Sequence, residues 1–393
     1  NRRRLAKRKD GVLMKTLKDF EFKGKKVILR SDFNVSIKEG KIISNERIMA
    51  ELPTINYLIK SGAKVIIMSH LGKIKSEEDK KSYSLYIVYE ELLKIIDTKV
   101  IFSPATHGKI LEEKISSLQN GEVLLAENTR YEDVENKKES ECNEELSKYW
   151  ASLADIFIND AFGMTHRKHA SNYGISKFLP TGIGFLIESE IKGLAPILEP
   201  AKPFTIIMGG AKLEDKLSLI KSLVPKCDKL LLGGGIANTF LAVSVSIGKS
   251  LVSPDLIEEA RNLLSIYKER IIMPVDVKVL TKNGAEVKDI SNIASDDIIF
   301  DIGPKTIELY KKHIDNSETI FLNGTVGKYE EEGFEDGTKE ILNAVSKTEA
   351  YSVIGGGDAL SSAEYFKIND FSFISTGGGA TLNYIATEKL ACF

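Results

Sequence analysis

Short apolar runs rich in Val, Ile and Leu alternate along this chain with segments whose apolar positions recur at helical spacing. In the first half, Val27–Arg30, Val65–Met68, Val123–Leu125 and Ile156–Ile158 read as strands. In the second half the corresponding runs are Thr205–Met208, Leu230–Leu232, Ile320–Leu322, Ser352–Ile354 and Ser372–Ile374. Near-continuous apolar strands between amphipathic helices belong in parallel sheets covered on both faces, so the pattern predicts an α/β fold. A chain of 393 residues is too long for one core and should divide into two or three domains. Glu188–Leu198 keeps a largely helical pattern despite Gly193 and Pro196, and Pro200 and Pro203 follow it. A helix bridging two domains suits that stretch, with the boundary near 185–200.

Composition narrows the picture. Hydrophobic residues make up 42% and charged residues 28%, as in an ordinary globular enzyme. No apolar run approaches the roughly eighteen residues of a membrane span, so no membrane association is expected. The formal net charge of −2 supplies no basic field for a nucleic acid. Cys142, Cys227 and Cys392 lie far apart, with neither metal-ligand spacing nor a disulfide framework, which points to a reducing cytoplasmic setting. Residues 1–13 carry Arg2, Arg3, Arg4, Lys7, Arg8 and Lys9 against Asp10 alone, and read as a basic extension outside the fold.

The two halves differ in their candidate chemistry. Consecutive glycines occur only in the second: Gly209-Gly210, Gly233–Gly235, Gly355–Gly357 and Gly377–Gly379. Each cluster follows a strand run, where parallel α/β sheets bind ligands. Glycine lets the backbone approach a phosphate, and a helix N-terminus offers free N–H donors. Neither a GxxxxGK[ST] loop nor a GxGxxG fingerprint is present, which argues against a P-loop enzyme and a dinucleotide-dependent dehydrogenase. Lys212 and Lys216 follow the first glycine pair. Read as one helical face near a helix N-terminus, they would repel each other unless a polyanion is bound; the alternative is two solvated surface lysines. Asp358 directly follows Gly357 and reads equally as a helix N-cap or as a carboxylate that holds Mg²⁺ beside phosphates.

The first half is marked by scarce arginines. The chain has ten, four of them in the basic extension, and only Arg30, Arg47, Arg130 and Arg167 fall between Met14 and Pro200. Arginine is the better bidentate partner for carboxylate and phosphate. Arg30 leads into Ser31-Asp32-Phe33-Asn34. Arg47 lies in the first turn of a helix over 45–61, with Ser44 or Asn45 as its cap. Arg130 follows Glu127-Asn128-Thr129, and Arg167 closes Asn159–Arg167. His70, with Gly72-Lys73 behind it, follows a strand run. Singly, each has a structural alternative, such as an exposed ion pair or a satisfied buried imidazole. Together they favour a small anionic ligand.

These pieces resemble, in uninterrupted order from about residue 15 to 390, the phosphoglycerate kinase family. The resemblance rests on Arg30–Val35, Asn45–Ile48, Met68–Gly72, Glu127–Tyr131 and Asn159–Arg167 in the first half. In the second it rests on Gly209–Lys212, Gly233–Gly235, Pro274–Asp276, Asp301–Thr306, Gly355–Asp358 and Ser375–Ala380. It implies two Rossmann-like domains with parallel sheets, joined by a helical hinge. Residues 14–185 would bind 3-phosphoglycerate or 1,3-bisphosphoglycerate, 186–200 would form the hinge, and 201–393 would bind Mg²⁺ with ADP or ATP. The last residues are candidates to pack back on the first domain.

By resemblance, Asp32, Asn34, Arg47, His70, Lys73, Arg130 and Arg167 fall on substrate positions. Lys216, Gly233, Gly234, Asn323, Glu330, Gly355, Gly356, Gly357 and Asp358 fall on nucleotide positions, with Asp358 the metal ligand. Arg47, Lys212, Gly377 and Gly378 fall where the family stabilises the phosphoryl group in flight. A cytoplasmic monomer with direct in-line transfer after domain closure is implied. Lys73 stands where the family has arginine, Ser36 and Thr325 where it has proline, Asn383 where it has an acid, and Ala391-Cys392 where it has Pro-Gly. None of these changes removes a catalytic group. A non-catalytic binding protein on the same fold is the remaining alternative, against which Arg47, Lys212 and Asp358 stand intact.

Overall fold

A computed structural model describes residues 14–393, and the basic extension lies outside them. The chain forms two compact units, one of residues up to Lys192 together with Lys389–Phe393, the other Gly193–Glu388.

The first unit is built on a seven-stranded sheet. Its strands run in the spatial order Lys15–Thr16, Thr181–Ile183, Ile156–Asn159, Lys26–Arg30, Lys64–Met68, Val123–Ala126 and Val100–Ser103. Every pairing is parallel. The central strands are apolar along their length because both faces are covered. Val27, Leu29, Val65 and Ile67 face one core with Ile48, Ile55 and Leu58 of the helix Glu46–Lys60. Their neighbours Ile28 and Ile66 face the other, with Leu146 and Trp150. That alternation places helices on both faces of the sheet. The chain first steps one way from Lys26–Arg30 and later returns to its other side, so a switch point opens at the carboxyl ends of Lys26–Arg30 and Ile156–Asn159.

The second unit repeats the plan with six parallel strands, in the order Ile271–Ile272, Lys229–Leu232, Phe204–Met208, Thr319–Asn323, Tyr351–Gly355 and Phe373–Ser375. Its switch point lies between Phe204–Met208 and Thr319–Asn323. A separate antiparallel sheet of Gly284–Asp289, Asp276–Thr281 and Ile298–Ile302 is also present. It had no counterpart among the expected strands: Gly284–Asp289 alternates in exposure, and Asp276–Thr281 and Ile298–Ile302 are only partly buried.

Three local expectations change. The helix after the first glycine pair begins only at Leu217, so Lys212 precedes it and the two lysines do not share a helical face. Asp358 lies in the first turn of the helix Gly357–Phe366, whose cap position is Gly356, so it is not an N-cap. The bridging helix spans Phe185–Leu198, starting three residues before the expected Glu188. At the helix Glu46–Lys60, Asn45 occupies the cap position without a side-chain cap bond, and the Ser44 hydroxyl accepts from Glu46 N at 3.3 Å.

Candidate functional site

The carboxyl ends of the first unit's strands gather its scarce cations. Arg30 ends its strand fully buried. Its Nε donates to Ser171 Oγ at 2.8 Å, and one terminal nitrogen stands 3.2 Å from His70 Nδ1. A guanidinium can only donate, so Nδ1 accepts and His70 carries its proton on Nε2. Burial first, then the charges of Arg30 and Arg130, hold His70 well below its ordinary pKa. The imidazole is therefore a neutral donor at physiological pH.

Behind Arg30 lies its counter-charge. The Ser171 hydroxyl donates a hydrogen bond to Glu139 Oε1, and its N–H donates to Glu139 Oε2 at 2.9 Å. Glu139 is fully buried, and burial raises its pKa while Arg30 lowers it. His169, also buried, is pushed down to about 3 by burial and then by Arg30, Arg130 and Arg167. The network keeps one guanidinium fixed and two imidazoles uncharged.

The remaining candidates sit at its edge. Arg47 Nη1 donates to Asp32 Oδ2 at 2.7 Å, with the arginine side chain half exposed. Asn34 Oδ1 accepts from Gly72 N at 2.8 Å, and Arg130 Nη1 donates to Gly72 O at 2.5 Å. Arg130 Nε is buried without a hydrogen-bond acceptor. Lys73 and Arg167 are exposed, and Arg167 Nε stands 3.2 Å from His166 Nε2. Asp32, Asn34, Arg47, His70 and Arg130 are thus brought into one neighbourhood. Among the described residues no hydrogen bond or ion pair ties Lys73 to it, while Arg167 acts on Arg130 and His169 through its charge.

The second unit uses the backbone instead. At its switch point Gly209 N donates to Asn323 O at 2.9 Å, and Gly210 N to Thr325 O at 3.1 Å. A Cβ on Gly209 would lie 2.0 Å from Thr325 O, so only glycine fits. Asn323 is buried, accepts from Lys216 Nζ and donates to Gly355 O at 2.6 Å. Burial lowers the Lys216 pKa while Asp358 opposes it. Gly356 has φ 96°, and a Cβ there would meet Asn323 Nδ2 at 2.4 Å.

Beside this switch point opens a cavity of about 390 Å³. Gly210, Gly234 and Gly235 form one side; Val277, Ile299 and Phe300 come from the antiparallel sheet; Glu330 and Asp358 also line it. Gly233 pairs its N–H with Met208 O at 3.0 Å and leads into that wall. Lys212 is exposed in the loop after Gly210, and Gly377 and Gly378 lead into the helix Gly379–Thr387. Lys212, Gly377 and Gly378 are not among the lining residues. Sequence reasoning missed the wall from the antiparallel sheet. Its signal was the turn Lys282-Asn283-Gly284 between alternating segments. It also missed the counter-charge Glu139, for which no local signal exists.

A cationic anion site at one switch point and a glycine-walled cavity with a lysine and a carboxylate at the other define a phosphotransferase of the two-domain α/β class. Residues 17–388 match the family model described as phosphoglycerate kinase. The chain belongs to the phosphoglycerate kinase family. It is 46% identical over 384 residues to phosphoglycerate kinase of Staphylococcus epidermidis, covering 96% of this chain and 97% of that one. Against phosphoglycerate kinase of Macrococcus caseolyticus it is 46% identical over 388 residues, covering 96% and 98%. The solved structure of phosphoglycerate kinase from Coxiella burnetii superimposes with a TM-score of 0.87 at 36% identity, covering 96% of this chain and 97% of that one. That from Pyrococcus horikoshii OT3 does so with a TM-score of 0.83, also at 36% identity and with the same coverage.

Proposed function

We propose that the chain catalyses reversible phosphoryl transfer from 1,3-bisphosphoglycerate to Mg-ADP, giving 3-phosphoglycerate and ATP in glycolysis. The observation that carries this reading is the division of chemistry: side-chain cations at the first unit's switch point, and a glycine-walled cavity rimmed by Asp358 at the second's. Asp32, Asn34, Arg47, His70, Lys73, Arg130 and Arg167 hold the acid substrate. Arg130 brings an unpaired buried Nε–H, and His70 brings an Nε2–H fixed by Arg30. Lys216, Gly233, Gly234, Asn323, Glu330 and Gly355–Asp358 hold the nucleotide.

Asp358 is the carboxylate for the nucleotide's Mg²⁺. One carboxylate fits an ion that takes most of its ligands from phosphates and water. Among the described residues no group of three or more His, Cys, Asp or Glu could hold a metal alone, consistent with an ion that arrives with the nucleotide. Held there, an Mg²⁺ ion would supply charge neutralisation for the phosphates. Arg47, Lys212 and the N–H groups of Gly377 and Gly378 stabilise the transferring phosphoryl. This transfer needs alignment and charge stabilisation more than covalent help, so no nucleophile is required. In-line reaction needs the reacting atoms within roughly 3–3.5 Å, so the units close when both substrates are bound. All these groups belong to one chain, which suits a monomer, and a glycolytic role suits the cytoplasm.

A coupled assay with 3-phosphoglycerate and Mg-ATP tests the reading. Turnover in the ordinary kinase range supports it, and its absence with correctly folded protein overturns it.

A further inference from the structure

Two carboxyl groups that the reaction does not use are buried behind the acid site. Glu51 is 1% exposed and Asp160 0%. Glu51 projects from the helix Glu46–Lys60, and its Oε1 accepts from Asp32 N at 2.9 Å. Asp160 follows the strand Ile156–Asn159, and its Oδ1 accepts from Ile187 N at 3.1 Å. Leu186 N–H and the Thr54 hydroxyl lie near enough to favour its charged form. Gly184 lies against this group so closely that a Cβ would come 2.2 Å from Asp160 Cγ. Each carboxyl has one buried oxygen with no hydrogen-bond partner, Glu51 Oε2 and Asp160 Oδ2, and the two groups lie close enough to act on each other electrostatically. A proton between those two oxygens completes both groups.

We propose that Glu51 and Asp160 share one proton as a positioning pair, Glu51 Oε2–H donating to Asp160 Oδ2, and so fasten the Asp32 loop of the acid site to the first turn of the helix Phe185–Leu198. The proton rests on Glu51 because Asp160 accepts from Ile187 N at a helix N-terminus, where a negative charge is favoured. Burial and then the charge of Asp160 raise Glu51 well above the ordinary carboxylate range; burial pushes Asp160 up to about 6. Asp32 also faces Glu51 and raises it, while Arg30 attracts its charged form.

Two adjacent buried carboxylates cannot both ionise cheaply. Loss of the shared proton would set like charges against each other and release Asp32, whose side chain holds Arg47. The sign of the effect on folding follows. Glu51 is raised in the folded state, so its contribution to stability is present below its unfolded value and is lost as pH rises through its folded value.

The inference rests on the reading of Asp32 and Arg47 as acid-substrate ligands. Its test is the pH profile of KM for 3-phosphoglycerate and for ATP, from about pH 6 to about 9.5, in wild type, Glu51→Gln and Asp160→Asn. Tm is recorded in the same buffers without substrate. In wild type, KM for 3-phosphoglycerate rises by up to about tenfold per pH unit once the shared proton is lost, while KM for ATP stays flat. Glu51→Gln donates through an amide that cannot ionise, so its alkaline limb flattens and its Tm falls less with pH. Asp160→Asn also loses the limb, at a higher KM throughout. Parallel KM profiles in all three proteins, or parallel Tm slopes in wild type and Glu51→Gln, would overturn the pair. If the wild type proved inactive on 3-phosphoglycerate, the functional reading would fail, and the Tm slopes would still test the shared proton.

Discussion

The two switch points solve the same problem, holding a phosphate-bearing ligand, with opposite materials. In the first unit the chain spends side chains: Arg30 fully buried, Glu139 as its counter-charge, and His70 and His169 kept neutral beside it. In the second it withholds them. Gly209 and Gly356 bring backbone against backbone or amide at distances no Cβ could occupy, and Gly210, Gly234 and Gly235 wall a cavity beside them. The first arrangement fixes charge for a small acid. On the function proposed, the second shapes space for a larger ligand and leaves charge to Lys216 and Asp358. Substitutions in the first unit should therefore act through charge and pH, and those at the second unit's glycines through sterics.

The largest effect expected is on Lys212→Ala. Lys212 is exposed, so the fold should stand, while turnover falls about a hundredfold or more if it stabilises the transferring phosphoryl. Steady-state kinetics decide, and near wild-type kcat would remove Lys212 from the chemistry.

Gly356→Ala sharpens the steric half of the comparison. Its φ of 96° and the 2.4 Å approach to Asn323 Nδ2 force either strain or displacement of Asn323. Strain of about 1–3 kcal/mol, if it falls on the bound state, corresponds to a loss of roughly fivefold to about 150-fold in nucleotide affinity, with 3-phosphoglycerate affinity unchanged. Calorimetric titration with each ligand measures both.

A smaller effect comes from His169. Its pKa is depressed to about 3, so the unfolded chain binds a proton that the folded chain refuses as pH falls below the ordinary histidine value. Stability is therefore lost on acidification, on the order of 1–2 kcal/mol by about pH 5. His169→Gln should lose less Tm than wild type between about pH 7 and about pH 5. Equal losses would show that the buried imidazole does not govern acid stability.

Much of this was legible in the sequence, for physical reasons. Strands covered on both faces must be apolar throughout, so runs such as Val65–Met68 and Ile320–Leu322 stood out, and each observed strand extends the run by one or two residues. Val100–Ser103 is half exposed at the sheet edge, and Gly284–Asp289 alternates, so neither announced itself as a buried run. The arginines were visible because lysine carries the ordinary surface charge. Their partners were not. Arg30 meets Ser171 across 141 residues, and Glu51 looks in sequence like any solvated helix glutamate. Only the fold reveals that it is buried beside Asp160.

The division of labour between the units is the central claim, and Arg130→Ala tests it most directly. Arg130 bonds Gly72 O in the first unit and keeps a buried Nε–H for an anion. Equilibrium titration of this variant with 3-phosphoglycerate and, separately, with Mg-ADP gives both affinities. The account predicts about a tenfold to hundredfold loss for 3-phosphoglycerate, the scale of a lost charged hydrogen bond, and less than about a twofold change for Mg-ADP. A parallel loss of both affinities would contradict it.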